Sequence, residues 1–136
     1  MNAVDTNVLV YSIDVAEPVK QRLAEELIET LSEDDTVIPW QVACEVAAVL
    51  RTLANTGRFT GDYAEAVVGL RTCFPVSMPQ LSTLERSLHI HTRYQMSIWD
   101  ALLIAACADA GVTRLYTEDM QGRPTIEGVT LVNPFT

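Results

Sequence analysis

Met1-Asn2-Ala3-Val4-Asp5-Thr6-Asn7-Val8-Leu9-Val10-Tyr11 opens the chain, and the way this run breaks decides how the rest is read. Ala3 and Val4 belong to a short apolar strand, Asn2 to Asp5. The polar triplet Asp5-Thr6-Asn7 interrupts it, and a short helix near Thr6 to Ser12 takes up the apolar pattern again. A carboxylate inside an apolar run is costly, because a buried charge persists only when paired, hydrogen-bonded or bound to a metal. The same arrangement recurs twice. Glu45 is the only charge between Val42 and Leu50, and Asp100 is the only charge between Ile98 and Ala108. A shared metal ion is the simplest common explanation for three lone acids in apolar runs.

Working outward, Pro18 suits the first turn of a helix, and Val19, Leu23, Leu27 and Leu31 repeat at fours over Pro18 to Leu31. Thr36 to Pro39 reads as strand two. Val42, Val46, Val49, Leu50 and Leu53 follow helical spacing over Gln41 to Ala54. Asn55 to Gly61 is a loop, Asp62 to Arg71 a further helix, and Cys73 to Val76 a weak third strand. Leu81, Leu84 and Leu88 mark a helix ending near Tyr94. Ser97 caps a very apolar helix that Gly111 stops. Thr113 to Tyr116 is strand four, and Val129 to Val132 is a short final strand. Strands alternating with helices predict parallel βαβ units in a three-layer α/β/α fold.

Composition agrees with one globular domain over residues 1–136: 49% of residues are hydrophobic, and no repeat, low-complexity stretch or linker divides the chain. The longest uninterrupted apolar run, Ala101 to Ala108, is too short to span a bilayer. The N-terminus has no basic segment followed by an apolar one, so no signal peptide is expected. Three cysteines without pattern, Cys44, Cys73 and Cys107, fit reduced thiols in a cytoplasmic protein, and are read as small core residues. The net charge of −9 argues against nucleic-acid binding driven by net charge alone. It does not exclude a nucleic-acid enzyme, because metal-binding acids supply part of that charge. It also suits a basic protein partner.

Right-handed crossovers send each strand from bottom to top and each helix back. Strand carboxyl ends and helix amino ends therefore share one edge, where open α/β sheets bind ligands. Asp5 ends strand one, Glu45 lies in the second turn of the helix after strand two, and Asp100 lies in the first turn after Ser97. Asp119 follows strand four in Leu115-Tyr116-Thr117-Glu118-Asp119. Either Glu118 or Asp119 can face the site; alternation admits one, and Asp119 is preferred. All four acids fall on one edge provided that strands one, two and four are near neighbours. Carboxylates brought together repel, and a hard divalent ion relieves this. Mg²⁺ needs few carboxylates and keeps waters that suit hydrolysis. Zinc is not expected, because no Cys/His cluster has ligand spacing.

Four segments together resemble the motifs of the PIN domain, most closely VapC-type toxins of prokaryotic toxin–antitoxin pairs. They are Asp5-Thr6-Asn7-Val8-Leu9, Gln41-Val42-Ala43-Cys44-Glu45, Ser97-Ile98-Trp99-Asp100-Ala101-Leu102 and Thr117-Glu118-Asp119. The resemblance implies a parallel sheet of about five strands in the order 3-2-1-4-5. It implies endoribonuclease activity dependent on Mg²⁺ or Mn²⁺, acting on RNA; in such hydrolysis one ion can serve, or two can divide the work between nucleophile and leaving oxygen. It also implies a homodimer and inhibition by a cognate antitoxin. By position, Asp5, Glu45, Asp100 and Asp119 match the family's metal-site acids, and Thr6, Asn7, Ser97 and Thr117 match polar positions that orient ligands or waters. Gln121-Gly122 departs from the pattern, standing where relatives often carry another acid or a His.

Other residues read more plainly. Trp99 is expected in the core, and His89 and His91 on a helix surface, since helical residues two apart do not face each other. Arg51, Arg58 and Arg93 are read as a solvated face, with contact to phosphate or antitoxin as the other option. Phe59 can either anchor a partner or fold back. Two further functions compete with the nuclease. An aspartate-based phosphatase or phospho-receiver is disfavoured, because Asn7 stands where the former needs a second Asp and Lys20 is the only lysine. A catalytically silent binding module of the same fold remains compatible with the sequence.

Overall fold

The computed structural model describes residues 1–120 and 122–136, so Gln121 lies outside the described residues. Among them, β1 (Asn2–Val4) lies between β2 (Thr36–Pro39) and β4 (Arg114–Tyr116) and runs parallel to both. Asn2 is level with Thr36 on one side and Arg114 on the other. β3 (Val76–Ser77) extends the sheet beyond β2, and β6 (Val129–Val132) extends it beyond β4, again in parallel. All four residues of β2 are buried, as a strand covered on both faces requires.

A sixth strand, β5 (Thr125–Ile126), pairs antiparallel with β6 at the outer edge, giving the order β3-β2-β1-β4-β6-β5. Two residues carry no periodicity, so this strand is invisible as a pattern. Its hairpin turn is Glu127-Gly128, both at positive φ (51° and 80°), the conformation that suits a two-residue connection between twisted strands.

Helices cover both faces of the sheet. Before and after β2 stand α1 (Thr6–Tyr11), α2 (Pro18–Ser32) and α3 (Trp40–Asn55), with α4 (Tyr63–Cys73) packed on α3 and α1 on both α2 and α3. α5 (Leu81–Tyr94) and α6 (Ile98–Asp109) form an antiparallel pair. Ser97 caps α6 by accepting from the Asp100 amide at 3.1 Å. Gly111 at φ +82° ends it, with Val112 N bonded back to Cys107 O and Gly111 N to Ala108 O. Leu9, Ile38, Leu50, Phe74, Ile104 and Leu115 fill the core. No helix of the described residues is long and apolar enough to cross a membrane.

Several expectations need correction. α4 runs through Cys73, and the third strand begins at Val76 rather than Cys73. Cys44 and Cys73 are exposed, and only Cys107 is a core residue. Trp99 is 64% exposed, because the first turn of α6 stands proud of the sheet edge before the helix enters the core at Ala101. α5 is the helix its leucines announce, but Leu81, Leu84 and Leu88 point outward while Thr83, Ser87 and Ile90 face inward. The inward hydroxyls are satisfied: Thr83 donates to Asp109, and Ser87 to the Leu84 carbonyl. Small inward residues let α5 approach α6 closely. His89 and His91 are exposed, and Phe59 folds back against the core.

Candidate active site

The adjacency of β2, β1 and β4 brings three distant segments to one edge. Asp5 continues the β1 ladder through its amide, bonded to Tyr116 O, before the chain turns into α1. Its buried carboxylate accepts from Thr6 N through Oδ1 and from the Thr117 hydroxyl through Oδ2, both at 2.7 Å. Thr117 is itself buried just past β4, and its Oγ1 also accepts from Asp119 N at 3.0 Å. One hydroxyl thus joins the ends of β1 and β4.

Glu45 reaches the same place from α3. Its Oε2 accepts from Thr6 Oγ1 at 2.8 Å, and its Oε1 accepts from Gln41 Nε2 at 2.9 Å. That Gln41 amide also donates to Trp99 O at 3.2 Å, tying the start of α3 to the start of α6. Asp119 Oδ2 accepts from Asn7 Nδ2 at 3.0 Å. Glu118 turns the other way, accepting from Tyr11 Oη and pairing with Lys20 at 3.1 Å. Lys20 also lies over the rings of Tyr11 and Phe135, so this cluster fastens the C-terminal segment to α1 and α2.

Asp5, Glu45 and Asp119 line one cavity of about 480 Å³, together with Asp14, Glu17 and Arg58. Asp100 is not part of that lining; it is half-buried in the first turn of α6, next to the Trp99 carbonyl that Gln41 reaches. A larger cavity of about 650 Å³ opens between α3, α4 and the β3 edge. It is mostly apolar and holds no carboxylate, so the chemistry belongs to the smaller one.

Burial is the main force on Asp5 and raises its pKa from 3.8 to about 6. The hydrogen bonds from Thr117 and Thr6 oppose this, and the charges of Asp119 and Glu45 add to it. Beneath it, burial pushes the Cys107 thiol up to about 12, with the Asp5 charge adding, so that cysteine is inert.

Whether these residues suit a metal can be judged from their donors. Among the described residues, no three His, Cys, Asp or Glu groups stand close enough to hold one ion together. The lining is nevertheless oxygen-rich, and Mg²⁺ typically needs one or two protein carboxylates while keeping several waters. No salt bridge to the buried Asp5 occurs among the described residues, and its acidic neighbours raise its pKa. That donor set fits a hard divalent cation.

Two contributors escaped the sequence reading. Asp14 is a buried lining residue held by Arg58, which is no merely solvated charge. The signal for Asp14 was present: it sits in Ile13-Asp14-Val15-Ala16, another lone acid in an apolar run. Gln41, quoted above only within its motif, is the second: it holds Glu45 and reaches the Trp99 carbonyl.

A family model described as the PIN domain matches residues 3–121. No curated protein matches the chain. Among solved structures, a toxin–antitoxin complex from Klebsiella pneumoniae superposes with a TM-score of 0.75 at 18% identity, covering 98% of this chain and 98% of that one. The Mycobacterium tuberculosis VapC20, a Sarcin-Ricin loop cleaving toxin, superposes with a TM-score of 0.67 at 17% identity, covering 93% of this chain and 98% of that one. At such identities the likeness is one of fold.

Proposed function

The chain belongs to the PIN domain family, and on that footing we propose that it is a metal-dependent endoribonuclease, the toxin of a toxin–antitoxin pair. The observation that carries this reading is the buried, acid-flanked Asp5, set in one cavity with Glu45 and Asp119.

Asp5 would hold Mg²⁺ or Mn²⁺, with Glu45 and Asp119 reaching it through the waters such an ion keeps, and Asp100 adding its charge from the neighbouring helix start. A bound ion of this kind polarises a phosphoryl oxygen and lowers the pKa of a bound water, which suits hydrolysis to a 3′-hydroxyl and a 5′-phosphate. The chain's own groups fix the carboxylates. Thr117 and the Thr6 amide orient Asp5, Thr6 and Gln41 orient Glu45, and Asn7 orients Asp119. Ser97 caps the start of α6 by accepting from the Asp100 amide, and Gln41 ties that start to α3 through the Trp99 carbonyl. Oriented ligands of this kind keep their geometry without reorganising when a substrate arrives.

A toxin–antitoxin complex among the structural neighbours supports a cognate antitoxin as partner. The acidic cavity suits a basic segment of such a protein. A homodimer is also part of the proposal, with the outward Leu81, Leu84 and Leu88 as apolar surface for it. Free cysteines and the absence of a spanning helix among the described residues support a cytoplasmic setting.

Purified protein is expected to cut RNA with Mg²⁺ or Mn²⁺ and to stop with EDTA. Full activity in Asp5→Asn and Asp100→Asn would overturn the assignment. One observation favours a second reading, a catalytically silent module: no three described acids surround a single point. Titration calorimetry with Mn²⁺ separates the two, because a silent module releases no binding heat.

A further inference from the structure

The acidic cavity has one cation among its described lining residues, Arg58. It comes from the loop between α3 and α4, and that loop is built to hold it. Gly57 takes the left-handed φ of +79°, which lets both Arg58 N and Phe59 N donate to Leu53 O, at 2.9 and 3.2 Å. Phe59 then turns back onto the core and lies against Gly61, where a Cβ would sit 3.0 Å from its ring. The pinned loop carries Arg58 across to the segment between α1 and α2. There its Nε and Nη2 donate to the two oxygens of Asp14, at 3.3 and 2.5 Å. Asp14 is buried, whereas the Arg58 side chain stays 45% exposed.

Such a fork on a carboxylate is rigid, and it leaves the Nη1 end of the guanidinium for another acceptor. A buried ion pair is by itself weak evidence of a stabilising role, since apolar residues of the same size serve as well or better. Its place on the wall of a cavity whose other charged lining residues are all acids gives it a different use. Those acids repel a polyanion, and a fixed guanidinium offers phosphate its preferred planar contact.

We infer that Arg58 is a substrate-binding residue: braced by Asp14, its guanidinium holds an RNA backbone phosphate next to the cleaved bond. This rests on the endoribonuclease reading above.

The test replaces both partners at once, with Asp14→Asn/Arg58→Gln. The double change leaves no lone buried carboxylate and keeps the net charge. Binding of an end-labelled single-stranded RNA is measured by fluorescence anisotropy over a series of KCl concentrations, in an Asp5→Asn background to prevent turnover. One lost phosphate contact reduces the magnitude of the log–log salt slope by about 0.7. With Asp5 intact, KM should rise about tenfold with kcat nearly unchanged, as loss of one charge-assisted contact predicts. Arg86→Gln serves as the control. Arg86 pairs with Asp109, at the end of α6 opposite Asp100, and its loss should leave slope and KM unchanged.

A folded double variant with the wild-type slope and KM would overturn the assignment and leave the pair a structural clamp. An equal change in Arg86→Gln would overturn it too, because the effect would then not be local. If the wild-type protein cuts no RNA at all, it is the underlying reading that falls.

Discussion

Asp5 and Asp14 bracket α1, line one cavity and are almost equally excluded from solvent, at 6% and 4%. They are held in opposite ways. Asp14 meets a guanidinium with both oxygens and a backbone amide, Ala16 N, with one of them. Among the described residues Asp5 receives only a backbone amide and a hydroxyl, while Asp119 and Glu45 add negative charge nearby. Burial is the same, so the difference lies in the partners. A carboxylate answered by a cation within the fold has its charge already spoken for. One answered only by dipoles keeps an unmet demand, and that is the property a cation site needs.

The largest expected effect sets the two apart by function. Asp5→Asn should lower RNA cleavage on the order of a thousandfold, whereas Asp14→Asn should lower it only about tenfold, through a loosened Arg58. Initial rates with Mn²⁺ read both, and equal losses would break the comparison.

Next comes stability. Arg58→Met alone strands a buried Asp14 and should cost about 3 kcal/mol in urea unfolding, measured at neutral pH without metal. Asp5→Asn strands no charge and should show no such loss.

Close behind is the dependence on pH. The folded-state pKa of Asp5 is raised, from 3.8 to about 6, so the folded protein holds that proton more tightly than the unfolded chain does. The advantage is complete below pH 3.8 and disappears as pH rises through about 6. In metal-free buffer this amounts to about 3 kcal/mol of stability lost across that window. The wild-type curve minus that of Asp5→Asn isolates it. Added Mg²⁺ should restore stability above the window, because an ion that binds only the folded state stabilises it by mass action.

The smallest effect sharpens the account of Asp5 itself. Thr117→Val removes a hydrogen bond that holds the Asp5 pKa down. It should cost about 1 kcal/mol, and the acid limb of the pH–rate profile should move to higher pH. An unmoved limb would mean that Thr117 does not govern the ionisation of Asp5.

The lone acid in an apolar run is a local signal that needs no coordinates. It picked out Asp5 and Glu45, now on one cavity, and Asp100 at the neighbouring helix start. It also marked Asp14, which went unread because no strand or helix boundary framed it. Helical spacing correctly announced α5 but gave no rotation about its axis, so the inward side of Leu81, Leu84 and Leu88 could not be known. Trp99 misled for a related reason: hydrophobicity says that a residue gains from burial, not that the fold has room for it at the edge of a sheet.

The sequence by itself determined the alternation of strands and helices and the edge on which the acids fall. Periodicity is local, and the hand of a parallel crossover is general, so both can be inferred without coordinates. The tertiary structure decided which strands are neighbours, which of Glu118 and Asp119 enters the cavity, and that Arg58 belongs to Asp14. Those outcomes depend on contacts such as Thr6 to Glu45 and Thr117 to Asp5, separated by 39 and 112 residues. Strand order and helix rotation set such meetings, and no repeat within either segment encodes them.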